Sequence, residues 1–114
     1  MSDGVPDPSV VRFCRADELP EGEVKSRLLG ELPVAVARHA GRLRAFGALC
    51  PHQHYDLAEG ILERGGIACP QHLWRFELDT GECRMIPGAR VPVYGVDERD
   101  GWIVVELPRA GDAP

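Results

Sequence analysis

Cys50, His52, Cys69 and His72 stand in two short segments, CPH at Cys50 to His52 and CPQH at Cys69 to His72, each offering one thiol and one imidazole. Thiolate and neutral imidazole are soft to borderline ligands, so four of them on two loops favour zinc or an iron-sulfur centre over magnesium or calcium. Their order separates those two. Finger-type zinc modules group a cysteine pair and then a histidine pair, whereas this chain runs Cys-x-His, sixteen intervening residues, then Cys-x-x-His. Loops that each give one ligand of each kind suit a binuclear centre with two cysteines on one iron and two histidines on the other. A structural zinc module used for protein binding is the competing reading. Pro51 and Pro70 directly follow the thiols and fix φ there, which stiffens both loops and lowers the entropy lost on insertion of a centre.

Such loops need a support, and the pattern predicts an all-β one. Strands are expected at Val10 to Cys14, Val24 to Leu29, Pro33 to His39, Leu43 to Leu49, Trp74 to Leu78, Glu82 to Ile86, Val91 to Val96 and Trp102 to Leu107. Val34 and Val36 share one face, as do Leu43, Ala45 and Leu49 on the next strand. Turns are expected at Ala40-Gly41, Glu63-Arg64-Gly65-Gly66, Asp79-Thr80-Gly81, Pro87-Gly88 and Asp100-Gly101, the last a strong hairpin signal. Only ADEL and DLAEG suit a helical turn. Turn signals every eight to twelve residues describe a sandwich or barrel.

The 114 residues fit one domain, expected at 10–107 between flexible ends at 1–9 and 108–114, both rich in breaking residues. No apolar run approaches the ~18 residues of a membrane span. The first residues, MSDGVPDPS, lack the features of a secretory signal, so a cytoplasmic protein is expected. In that reducing compartment Cys14 and Cys83 should be free thiols packed as small apolar groups. A net charge of −5 without a basic cluster argues against nucleic acid or an anionic membrane as partner.

The two ligand segments, together with Leu57, Glu59 and Gly60 after the first and FELDTG at Phe76 to Gly81 after the second, resemble the Rieske iron-sulfur family over roughly Leu43 to Val96. The resemblance implies a Rieske-like β-sandwich or barrel with a small cluster-binding part at about 47–87. It further implies one 2Fe-2S cluster, with Cys50 and Cys69 on one iron and His52 and His72, near the surface, on the other. Two neutral imidazoles in place of thiolates lift the potential above the about −400 mV of an all-cysteine plant-type ferredoxin. High-potential members carry an extra cysteine beside each loop, and a serine and a tyrosine after the second histidine. Here Gln71, Trp74 and Phe76 stand at the corresponding places, which predicts a potential near the low end of the range, about −150 mV.

HLW at His72 to Trp74 is similar to the ferredoxins of toluene monooxygenase and related diiron monooxygenases. The implied role is a soluble ferredoxin, not itself an enzyme, carrying single electrons from a flavin-containing NAD(P)H reductase to a terminal oxygenase of diiron or Rieske type. The alternative is the small Rieske-like subunit of an assimilatory nitrite reductase. With His52 and His72 assigned, His39 and His54 lack partners for a mononuclear iron, and no G-x-G-x-x-G follows a strand to bind NADH or a flavin. His54 is read as a polar loop residue beside the site and Trp102 as structural. Trp74 is open to two readings, a cover over the cluster or a core side chain.

Overall fold

The computed structural model describes residues 10–51, 55–70, 74–83 and 85–107. Among them, strands β1 (Val10–Arg15), β2 (Val24–Leu29), β3 (Leu32–His39), β4 (Arg42–Gly47), β8 (Val93–Arg99) and β9 (Trp102–Glu106) form one antiparallel sheet in the order β1-β9-β8-β4-β3-β2. Three short strands, β5 (Ile61–Glu63), β6 (Gly66–Ala68) and β7 (Arg75–Glu77), form a second sheet in sequence order. The chain leaves the large sheet after β4 and re-enters it beside β4, as β8, through the pairs Ala45↔Tyr94 and Phe46↔Val93. The small sheet and both ligand segments lie within that excursion. No helix among the described residues is long and apolar enough to cross a membrane.

β3 shows how sequence divides the two cores. Its alternating valines and alanines are all buried, because successive side chains point to opposite faces of a sheet. Val34 and Val36 join Phe13, Leu19, Ala45, Ile103 and Val105 in the core enclosed by the large sheet. Ala35 and Ala37 face the other way, into a second core with Phe46, Leu57, Ile67 and Phe76. Small alanines on that face let the second layer approach closely. The shared face expected for Leu43, Ala45 and Leu49 holds for the first two, whereas β4 stops at Gly47 and Leu49 is 40% exposed.

Other boundaries differ from expectation for local reasons. Pro92 has no N–H to give to a ladder, and the strand expected from Val91 starts instead at Val93. It then runs on to Arg99, where Asp100 and Gly101 turn with φ of 54° and 82°. Among the described residues of the strand expected at Glu82 to Ile86, none belongs to a ladder. Glu82 and Cys83 make only isolated bridges, to Arg90 and Phe76, since the Pro87-Gly88 turn folds the chain back at once and sends the Cys83 N–H to the Ala89 carbonyl at 2.9 Å. β5 and β6, three residues each, are too short to show alternation, although the Arg64-Gly65 turn between them is legible. The two expected helical turns appear as 3-10 turns at Ala16–Glu18 and Leu57–Glu59.

β1 and β2 are the two edges of the large sheet, and a side chain bridges them. A register shift between Arg12 and Cys14 leaves Phe13 without a partner on β9, and Arg27 on β2 donates from Nη1 to the Phe13 carbonyl at 2.5 Å. Arg27→Ala should therefore lower stability by about 1 kcal/mol, below the range of about 1.5–3 kcal/mol for a hydrogen bond from a charged donor, because this residue is largely exposed. Urea unfolding with an unchanged midpoint would contradict the bridge.

A second clasp is pH-dependent. The Glu21 carboxylate accepts from the N–H groups of Ala40 at 2.6 Å and Gly41 at 2.9 Å, and those two bonds hold its pKa below the usual 4.5. A depressed folded-state pKa stabilises fully above the unfolded value and is lost as pH falls through the folded one. Glu21→Gln, with one acceptor oxygen instead of two, should melt below the parent at neutral pH and converge with it in acid. Parallel melting curves at all pH values would refute that.

Cys14 and Cys83 are free, buried, and in different cores. Burial, with help from Glu18, pushes the Cys14 thiol up, as expected of an apolar packing group. Trp102 lies on the outer face of the large sheet under the guanidinium groups of Arg12 and Arg15, 4.6 and 5.2 Å from its ring centroid. It is structural, by cation–π contact with β1.

Candidate metal centre

The two ligand segments are framed alike. The Cys50 N–H donates to the Tyr55 carbonyl and the Cys69 N–H to the Trp74 carbonyl, both at 2.9 Å. In each case the bond runs from the cysteine to the fifth residue after it, closing a loop that contains one of the predicted histidines. His52 and His72, and with them His54 and Gln71, lie outside the described residues. Both cysteines are fully buried and belong to one apolar cluster with Ala35, Phe46, Leu57, Ile67 and Phe76. The flanks of the first loop are open instead, with Leu49 and Tyr55 each 40% exposed.

Different elements build the two frames. The second loop joins β6 to β7, with Ala68 paired to Arg75 at its base. The first rises from a bridge between Leu49 and Asp56, and the 3-10 turn that follows is tied back by the Leu57 N–H to the Ala48 carbonyl at 2.7 Å. Asp56 caps that turn, accepting from the Ala58 N–H at 2.9 Å, and accepts from Ser26 Oγ on β2 at 2.6 Å. The frames meet where Ile61, just past the turn, pairs with Ala68, just before Cys69.

From behind, His39 Nε2 accepts the Gly65 N–H at 3.0 Å, so its ring proton sits on Nδ1. The Leu78 N–H donates to the Gly65 carbonyl at 3.0 Å, and Arg44 Nε lies 2.6 Å from the Asp79 carboxylate. Arg75 donates to the Glu63 carbonyl. Trp74 packs against the buried cluster with its ring centroid 6.2 Å from that of Phe76, which favours the core reading for it.

Sequence reading missed the supporting residues Ser26, Asp56, Arg75 and His39. Asp56 had a signal, since Asp-x-x-Glu before Gly60 has the form of a capping box. The pairings of Ser26, Arg75 and His39 depend on the tertiary fold and left no local trace.

Two buried cysteines at the bases of matched loops, with His52 and His54 in the first loop and His72 in the second, fit a centre that is held from the core side by sulfur. The donor set and the all-β body together define the class of small iron-sulfur proteins with mixed cysteine and histidine ligation. The chain belongs to the Rieske [2Fe-2S] domain family, whose model matches residues 9–95, and its cofactor is a Rieske-type 2Fe-2S cluster. It is 38% identical over 111 residues to the ferredoxin component of the alkene monooxygenase system of Xanthobacter autotrophicus, covering 94% of this chain and 91% of that one. It is 36% identical over 92 residues to the anthranilate 1,2-dioxygenase ferredoxin subunit of Burkholderia cepacia, covering 80% and 85%. Among solved structures, the ferredoxin of carbazole 1,9a-dioxygenase from Nocardioides aromaticivorans superimposes with a TM-score of 0.79 at 27% identity, covering 87% of this chain and 98% of that one.

Proposed function

We propose that this chain is a one-electron carrier of a multicomponent oxygenase, taking electrons from a flavin-containing NAD(P)H reductase and delivering them to the terminal oxygenase. In this reading Cys50 and Cys69 hold one iron of the cluster and His52 and His72 the other, within a cluster-binding part at about 47–87 of a domain at 10–107. The observation that carries the reading is the burial of both cysteines in one cluster at the bases of two identically closed loops. The cluster, when bound, stores and releases a single electron.

The protein's own residues divide the remaining work. Cys50 and Cys69 keep the sulfur end in the apolar core, where Ala35, Phe46 and Phe76 exclude water. The first loop, with open flanks at Leu49 and Tyr55, brings the imidazole end toward a partner. A cytoplasmic setting suits both the NAD(P)H source and the unpaired Cys14 and Cys83. Relatives matched over most of their own length are ferredoxins of oxygenase systems, which favours this role over a nitrite reductase subunit.

Absorption and electron paramagnetic resonance spectra of the purified protein, before and after dithionite, test the proposal together with iron and sulfide analysis. A Rieske signal on reduction is the expected result. A colourless protein with stoichiometric zinc would overturn it. Turnover reconstituted with a flavin reductase and an oxygenase would separate the carrier role from that of a sirohaem enzyme's subunit.

A further inference from the structure

The residue after the closing carbonyl of each ligand loop is charged, and the two charges are opposite. Asp56 follows Tyr55, and Arg75 follows Trp74. Their backbone placement matches as well: Asp56 pairs with Leu49, the residue before Cys50, and Arg75 pairs with Ala68, the residue before Cys69. The backbone of each thus lies across one rung from the residue that carries its loop into the ligand cysteine, while the charged groups reach further along the stems, the carboxylate to Ser26 on β2 and the guanidinium to the carbonyls of Glu63 and Arg64.

Both side chains are also fixed. One oxygen of Asp56 accepts from Ser26 Oγ at 2.6 Å and the other from the Ala58 N–H at 2.9 Å. Arg75 donates to the Glu63 carbonyl, its Nη1 lies 3.6 Å from the Glu63 carboxylate, and its side chain is only 17% exposed. The Glu63 carboxylate is 58% exposed, so water screens it far more than the guanidinium it faces. Asp56 is likewise partly buried. Held charges at the boundary of a low-dielectric core act over longer distances than mobile surface charges do.

We propose that Asp56 and Arg75 are paired positioning residues, which hold the stems of the two ligand loops and set the cluster's midpoint potential in opposite directions. The inference rests on the Rieske-carrier reading above. Reduction adds one negative charge, so a fixed carboxylate opposes it and a fixed guanidinium favours it. In the parent protein the two effects offset each other. An exchange at either place alone therefore retunes the carrier without touching a ligand.

Voltammetry of the cluster-loaded protein tests this with four variants. Asp56→Asn keeps the size of the side chain and a polar group toward each partner, and should raise the midpoint. Arg75→Gln should lower it. Each change should alter the ratio of oxidised to reduced protein at a fixed applied potential about three- to tenfold, where tenfold corresponds to about 59 mV for one electron. Arg75→Lys, which retains charge but not the planar fork, should stay at the parent value, and the Asp56→Asn, Arg75→Gln double variant should return close to it. Shifts in the same direction, or a Lys variant that shifts as far as Gln, would overturn the inference. Should Asp56→Asn lose its cluster, the Arg75 pair decides alone by the same criterion. A parent protein without a Rieske signal refutes the carrier reading itself, whereas a parent with that signal and unmoved variant midpoints refutes only the tuning.

Discussion

Replacing His72 by cysteine in the cluster-loaded protein should lower the midpoint potential by on the order of 200 mV, most of the way toward an all-cysteine ferredoxin near −400 mV. The cause is charge. A neutral imidazole on the outer iron leaves the cluster less negative, so the incoming electron meets less repulsion, and a thiolate restores that repulsion. A shift of this size changes the oxidised-to-reduced ratio at fixed potential by about three orders of magnitude, far more than any change expected from the loop stems. Film voltammetry reads it directly, and an unchanged midpoint would contradict the role assigned to His72. The parent itself should lie near the low end of the Rieske range, about −150 mV, because the fully buried Phe76 offers no hydrogen-bond donor to the cluster sulfur. A parent midpoint well above zero would show that other donors take that place.

The difference between what is legible in the sequence and what is not follows from range along the chain. Ligand types and spacing are local properties, and so are the Asp100-Gly101 and Arg64-Gly65 turns, whose positive φ values demand particular residues. The valine and alanine alternation of β3 marks a strand, and its lack of polar residues points to burial on both faces. Assigning Val34 to one core and Ala35 to another requires the second sheet to be in place. The strand expected at Glu82 to Ile86 is instructive for the same reason. Its place between two turn signals suggests a strand, and the turn at Pro87-Gly88 leaves room only for isolated bridges. Ser26 and Asp56 stand thirty positions apart, and no sequence period links them. A residue that holds a ligand loop through such a contact is visible only once the sheets have packed.

Gly60 belongs to both categories, since it forms part of the recognisable pattern after the first loop while its reason is hidden there. Its φ of −89° and ψ of −162° are open to any residue, so backbone freedom is not what it supplies. It supplies space. A Cβ at this position would stand 1.8 Å from the Ala68 carbonyl oxygen and 3.2 Å from that of Leu57, and backbone groups cannot rotate away as a side chain can. Gly60→Ala must therefore push the 3-10 turn and β6 apart by about 1 Å or more, a reach set by ordinary contact distances. Ala68 pairs with Ile61 and directly precedes Cys69, so the displacement falls on a place where the frames of the two loops meet. We expect a loss of about 3 kcal/mol, the upper end for overpacking, and a steep fall in cluster content per chain. Gly30→Ala provides the contrast. Gly30 has φ of 67° and a methyl group added there would meet nothing within 4 Å, so only backbone strain of about 1 kcal/mol is expected, with cluster content retained. Urea unfolding and cluster absorbance per protein separate the two effects: equal cluster content in both variants would mean that close approach at Gly60 does not hold the ligand loops in register.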